Sequence, residues 1–210
     1  MIVHHAPIVL ASRSPRRKEL LETAGIQFSI EASRVRESDF PRMPPEQYVA
    51  ALARAKAADI SQNHPRAWVI GADCVVFAKG RILEKPESVS AARQMMRLLG
   101  GASHFVFTGY CITCRHQNVT VANTVKTEVV FKPLTDAEIE WYIETPEPYD
   151  KAGGYAIQGL GGFMVKRIIG SYTNVVGLPL CEVLEDLTRL GVIERRPGIR
   201  MERAVGENQS

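Results

Sequence analysis

The chain has 210 residues, 45% of them hydrophobic and 23% charged, which suits one domain or one two-lobed domain with a sizeable core. Its net charge of +3, with 26 Lys and Arg against 23 Asp and Glu, fits an anionic small molecule and falls short of a nucleic-acid footprint. No apolar run approaches the roughly 20 residues needed to span a membrane, and Met1-Ile2-Val3-His4-His5 lacks the pattern of a signal peptide, so a reducing cytoplasm is expected.

Ile8–Ala11 reads as a short buried strand and Ser14–Ala24 as a helix, with Ser14 as N-cap, Pro15 at the first helical position and Gly25 as the stop. Arg16, Arg17 and Lys18 crowd the positive end of that helix dipole, each unfavourable by roughly 0.3–1 kcal/mol. A bound anion reverses the sign, because free backbone N–H groups and arginines together cradle phosphate. The plain alternative is a solvated basic turn. If the arginines do bind phosphate, removing either leaves the empty protein no less stable.

Arg34–Asp39 is a charged loop that could present Glu37 or Asp39 to a metal, although taken alone it reads first as a solvated loop. Pro45–Ile60 is an alanine-rich helix, with Lys56 on or beside the stripe of Val49, Leu52, Ala53 and Ile60. Snorkelling and phosphate binding both suit that lysine. Trp68–Phe77 is an apolar strand interrupted by one carboxylate, Asp73, which must pair, bind metal or take a proton. A functional Asp73 is favoured over a strand-end cap. A Lys79-Gly80 turn leads to a return strand, Arg81–Leu83, and Pro86 holds the backbone of Lys85 extended.

Ser90–Leu99 reads as a helix stopped by Gly100-Gly101, and Phe105–Cys114 with Val119–Phe131 as a strand pair. Cys111 and Cys114 form a CxxC, but no second cysteine pair follows to complete a zinc site. On a strand, residues three apart face opposite ways, so packing is favoured for both thiols. Thr135-x-x-Glu138 is a capping box opening a helix to about Glu144.

Asp150–Gly162 holds five of the 16 glycines yet matches neither a P-loop nor GxGxxG. It either brings backbone close to a ligand or makes tight turns. Gln158 within it offers donor and acceptor for a base edge. Phe163–Ile169 reads as a strand, and Pro179–Leu190 as a helix with Leu180, Val183, Leu184, Leu187 and Leu190 on one stripe. The tail from Arg195 is expected to be mobile. Alternating strands and helices make this an α/β protein with a mixed sheet.

In chain order, Ser12-Arg13-Ser14-Pro15-Arg16-Arg17, Arg36-Glu37-Ser38, Ala53-Arg54-Ala55-Lys56-Ala57, Gly71-Ala72-Asp73, Glu84-Lys85-Pro86, Thr108-Gly109, Asp150-Lys151-Ala152-Gly153 and Asn174-Val175-Val176-Gly177-Leu178-Pro179 resemble the motifs of the Maf family of nucleoside triphosphate pyrophosphatases. The likeness covers about residues 8–190. Asp-Lys-Ala-Gly with Ile157-Gln158-Gly159 further resembles the branch that hydrolyses dTTP and UTP, and differs from the branch acting on 7-methyl-GTP.

The resemblance implies a Maf/ITPase-like fold: a mixed, elongated sheet flanked by helices, with two lobes around a substrate cleft. It implies a single catalytic domain over 1–194 with 195–210 as a tail, and a homodimer. The implied reaction converts a nucleoside triphosphate and water to the monophosphate and pyrophosphate, with Mg²⁺ or Mn²⁺ as cofactor. Ser12 and Arg13 then enter the phosphate loop, and Arg16 and Arg17 hold phosphates. Arg16 also matches a position linked to substrate choice. Lys56 and Lys85 match cationic phosphate ligands. Glu37 and Asp73 match acids near the metal and attacking water, Asp73 as proton acceptor. The division between metal ligand and base stays open. Gln158 matches a base-selectivity position, and Cys74 stands where the dTTP/UTP branch usually carries Thr. The loop at Val35, before Arg36-Glu37, is more basic than usual. Two other classes stay in view: a nucleotide-binding regulator of cell division with little turnover, and a nucleic-acid binder using the basic 13–18 segment, which the modest charge disfavours.

Overall fold

The computed structural model describes residues 1–196; residues 197–210, most of the expected tail, lie outside the described residues. A short strand β1 (Ile2–His4) precedes β2 (Ile8–Leu10), helix α1 (Pro15–Thr23) and β3 (Ser29–Ile30). Helix α2 (Pro45–Ser61) then leads to the long strand β4 (Trp68–Ala78), its return strand β5 (Arg81–Leu83) and helix α3 (Val89–Leu99). A hairpin of β6 (Ser103–Cys114) and β7 (Val119–Phe131) follows, then α4 (Asp136–Ile143) and β8 (Val165–Ile169). Helices α5 (Tyr172–Val176) and α6 (Leu180–Arg189) and strand β9 (Ile193–Arg195) complete the described chain.

The main sheet has seven strands in the order β3-β2-β4-β6-β7-β8, with β5 attached to β4. Strand β2 runs parallel to β3 and β4, and every other pairing in the sheet is antiparallel. The sheet is therefore mixed, as expected. One edge of β4 is shared between two partners. β2 pairs with Trp68–Ile70 and β5 with Val76–Ala78, leaving 71–75 with β6 on one side and no strand on the other among the described residues.

That gap separates two lobes. Ile8, Leu21, Trp68, Ile70, Tyr110, Val183 and Leu187 form a core on one side, joining β2 and β4 to α1 and α6. Val76, Leu83, Met96, Leu99, Phe131 and Tyr142 form a second core with α3 and α4. The capping box of α4 is present in full, with Thr135 and Glu138 each bonding the other's backbone N–H.

On the opposite face lies α2, in close contact with the strands. A Cβ at Gly71 would sit 2.4 Å from the Ala53 carbonyl oxygen, and one at Gly109 would sit 2.4 Å from that of Val49. Gly109 lies directly across the ladder from Asp73, so both glycines share Asp73's face. The alanine richness of α2 has the same cause, since Ala53 and Ala57 are fully buried against the sheet.

Several details depart from expectation. Ser14 occupies the N-cap position of α1 but its hydroxyl makes no capping bond; instead the Ser14 N–H donates to Ser12 Oγ at 3.2 Å. Leu160–Met164 is a 3₁₀ turn, so the expected strand at Phe163 begins at Val165. Strand β9 pairs antiparallel with β1 as far as Arg195, where the tail was expected to start.

Because backbone rather than a yielding side chain meets the added methyl, Gly71→Ala and Gly109→Ala should each lower unfolding free energy by about 1–3 kcal/mol or more. Urea titration measures this, and losses under about 0.5 kcal/mol would show that α2 is not seated as described.

Candidate active site

The gap along β4 opens into a cleft of about 1660 Å³ between the lobes. Ser12, Arg13, Arg16, Arg17, Glu37, Lys56, Asp73, Cys74, Lys85 and Gln158 all line it, so the structure brings together every residue that the resemblance assigns to the site, whereas Asp39, the alternative to Glu37, is not among the lining residues. Seven Arg or Lys side chains line the cleft against five Asp or Glu, a cationic excess suited to a polyanion.

At the cleft floor, Asp73 is 5% exposed on β4. Lys56 descends from α2 and donates to Asp73 Oδ1 at 2.6 Å and to Glu37 Oε1 at 3.2 Å. Its side chain is 14% exposed, so it is a buried partner and not a snorkelling lysine. Glu37 opens a 3₁₀ turn, Glu37–Asp39, and reaches in from the exposed rim. Burial raises the Asp73 carboxyl above its ordinary value; Lys56 and Arg17 pull the other way and Glu37 adds to the rise. The carboxylate is thus desolvated yet in contact with a cation, which suits proton acceptance.

Tyr48 was not singled out from sequence. It stands two turns before Lys56 on α2, and its hydroxyl donates to the Glu37 carbonyl at 3.4 Å. Burial and the charges of Glu37, Asp73 and Glu84 raise its phenol. An aromatic residue on the lysine's own helix was the available signal.

Arg17 is anchored to the protein itself. Its Nε donates to the Gly177 carbonyl at 2.8 Å, and its Nη1 donates to the Ala72 carbonyl at 2.9 Å and Ser12 Oγ at 3.1 Å. One guanidinium thus ties α1 to Ser12, to β4 beside Asp73, and to the end of α5. The expectation that removing either arginine spares the empty protein is therefore reversed for Arg17. Arg16 has no hydrogen bond or ion pair among the described residues and remains available to a ligand. Arg13 and Lys85 are exposed at the cleft, and no acidic side chain occupies the first turn of α1. The positive end of that helix is open to an anion.

Cys74 is half-buried on the face of β4 opposite Asp73, and burial pushes its thiol up. Cys111 and Cys114 are buried, free, and packed into different clusters on the two faces of the sheet, as their spacing predicts. Asn174, fully buried, donates to the Val106 carbonyl at 3.1 Å and to Thr127 Oγ1 at 2.9 Å. Thr108 Oγ1 donates to the Asn174 carbonyl at 3.0 Å, so the Thr108 and Asn174 motifs lock α5 to the sheet.

No group of three or more His, Cys, Asp or Glu among the described residues forms a self-contained metal cage. Asp73 and Glu37 nevertheless converge on one cation, the Lys56 ammonium. Two convergent carboxylates fit a hard divalent ion that takes its remaining oxygens from phosphate and water. Among the described residues no helix is long and apolar enough to cross a membrane.

Fold and cleft together define a mixed α/β protein with a cation-lined cleft around one buried carboxylate. The chain belongs to the Maf family: the pattern described as Maf-like protein matches residues 7–190. It is 50% identical over 186 residues to the dTTP/UTP pyrophosphatase of Geobacter sulfurreducens, covering 89% of this chain and 97% of that one. It is 47% identical over 181 residues to the dTTP/UTP pyrophosphatase of Halalkalibacterium halodurans, covering 86% and 94%. Among solved structures it is similar to the Staphylococcus aureus Ham1 protein, with 13% identity and a TM-score of 0.39 over 60% of this chain and 71% of that one.

The two arginines should separate by experiment. Arg17→Ala leaves buried carbonyls unpaired and should cost about 1–3 kcal/mol of stability in the empty protein. Arg16→Ala should change stability by less than about 0.5 kcal/mol and raise KM for nucleotide. Equal stability of the two variants would contradict the anchoring role of Arg17.

Proposed function

We propose that this chain hydrolyses dTTP and UTP to the nucleoside monophosphate and pyrophosphate, with modified pyrimidine nucleotides in the same substrate class. The observation that carries this reading is the desolvated Asp73 carboxylate, 2.6 Å from Lys56 Nζ, at the floor of a cation-lined cleft. The names of the relatives support it. A homodimer working in the cytoplasm is the setting that the family resemblance favours.

Arg13, Arg16 and Lys85 receive the triphosphate together with the N–H groups at the start of α1. Asp73 takes a proton from a water aligned on the α-phosphorus, and desolvation makes its carboxylate a better base than it is in water. The water oxygen bonds to the α-phosphorus. The bond from that phosphorus to the α–β bridging oxygen breaks, and its electron pair leaves with pyrophosphate. The arginines and lysines balance the charge that builds on the leaving group. Lys56 keeps the Asp73 carboxylate oriented. Asp73 and Glu37 would hold Mg²⁺ or Mn²⁺, which when bound supplies polarisation of phosphate oxygens and a more acidic water.

Purified protein with Mg²⁺ or Mn²⁺ should release pyrophosphate from dTTP and UTP, and orthophosphate as the primary product would contradict the mechanism. Asp73→Asn should lower kcat by at least about 10²-fold, the scale of losing a positioned base. The variant should stay folded. A carboxyl raised by folding favours the native state at acidic pH, and that contribution is lost as pH rises through the raised value. The amide is nearly isosteric with the carboxyl, and Lys56 keeps Glu37 as an anionic partner. Near-normal turnover would move the catalytic role to Glu37.

Base choice gives a second test. The 4-carbonyl and N3–H of uracil and thymine present an acceptor beside a donor, which one Gln158 amide complements, whereas cytosine presents a donor and a bare N3. UTP and dTTP should exceed CTP by at least about tenfold in kcat/KM. Gln158→Ala should erode the preference and Cys74→Thr should keep or sharpen it. Equal efficiency of the unmutated protein on UTP and CTP would refute the base-reading role of Gln158.

A further inference from the structure

Two of the glycines after Gln158, Gly159 and Gly161, pack against the protein's own side chains. Glu147 opens the 3₁₀ turn Glu147–Asp150, shortly after α4. Its Oε2 accepts the Leu160 N–H at 2.8 Å, and its Oε1 accepts the Gly161 N–H at 2.8 Å and the Tyr142 hydroxyl at 2.9 Å. A Cβ at position 159 would lie 2.0 Å from Glu147 Oε2, and one at position 161 would lie 2.8 Å from the Tyr142 hydroxyl. Glycine at these two positions makes room for the carboxylate and its tyrosine partner, not for a ligand.

The anchor is itself fixed. Tyr142 is fully buried, and Lys151 Nζ donates to the Glu147 carbonyl at 3.1 Å. Burial pushes the Glu147 carboxyl up, but the Gly161 and Leu160 N–H groups, Tyr142 and Lys151 outweigh it and hold the group below its ordinary value. Charge-assisted hydrogen bonds of this kind are roughly twice as strong as neutral ones. Gln158 stands just before the clamped residues and lines the cleft, and its side chain has no hydrogen-bond partner among the described residues. Its position is set by its backbone.

We infer that Glu147 is a positioning residue for base selection: it fixes the loop from which Gln158 reads the pyrimidine edge. The assignment rests on the base-reading role proposed above. A loop held in one place keeps the Gln158 side chain within reach of the base edge, and a loose loop does not.

The test measures kcat and KM for UTP and CTP in Gln158→Ala, Glu147→Gln, the double variant and Tyr142→Phe. Glu147→Gln can turn an amide N–H against a backbone N–H; Tyr142→Phe removes one of the three bonds and serves if the first variant does not fold. In Glu147→Gln the UTP-over-CTP ratio of kcat/KM should fall about tenfold. The loss should appear as a higher KM for UTP, with kcat within about twofold. Tyr142→Phe should lose part of the preference, and the double variant no more than Gln158→Ala alone. If Gln158→Ala loses the preference while folded Glu147→Gln and Tyr142→Phe keep it, the assignment to Glu147 fails alone. Multiplicative losses in the double variant also overturn it. An unchanged ratio in Gln158→Ala overturns the base reading itself, and the assignment with it.

Discussion

Helix α2 touches the sheet backbone to backbone at Gly71 and Gly109, and the site depends on that contact. Side chains at either position would lift the helix away from β4. With the helix seated, Lys56 falls beside Asp73 and ends 2.6 Å from its carboxylate. The ammonium compensates a carboxylate that the strand buries, and burial still prevails in raising the carboxyl. One geometric constraint thus sets both the position of the acid and its basicity.

The second determinant is the break in pairing along one edge of β4. Strands β2 and β5 cover its two ends, and the residues between them face the cleft instead of a neighbouring strand. An edge left open this way exposes backbone carbonyls. Arg17 satisfies the one on Ala72 and at the same time holds Ser12 and the end of α5. The cationic loop therefore braces the structure through one arginine and lines the cleft with the others. Arg17 braces the junction, while Arg13 and Arg16 remain turned to the cleft.

How far the sequence could be read depended on the range of each interaction. Long periodic segments such as α6 and the β6–β7 hairpin were legible, because their patterns are local. Asp73 was legible because a carboxylate in an apolar strand is costly wherever it lies. Lys56 was ambiguous, since an alanine-rich helix has no sharp stripe and only the glycines of other strands fix its seat. The anchoring of Arg17 was hidden because its partners are carbonyls at 72 and 177, and carbonyls carry no sequence signal. Glu147 was hidden for the same reason, with backbone N–H partners at 160 and 161. The β1–β9 pair joins three-residue strands from the two ends of the described chain, too short and too distant to show a pattern.

The central claim is that burial outweighs Lys56 and keeps Asp73 a basic carboxylate at the cleft floor. Titration of the Asp73 side-chain carbon by NMR in the nucleotide-free protein tests this most directly, with Lys56→Met as the comparison. The account predicts a midpoint above the ordinary aspartate value of 3.8, rising further when Lys56 is removed. A midpoint at or below that ordinary value would contradict it, because Asp73 would then be an ion-paired structural acid without the raised basicity that the proposed mechanism uses.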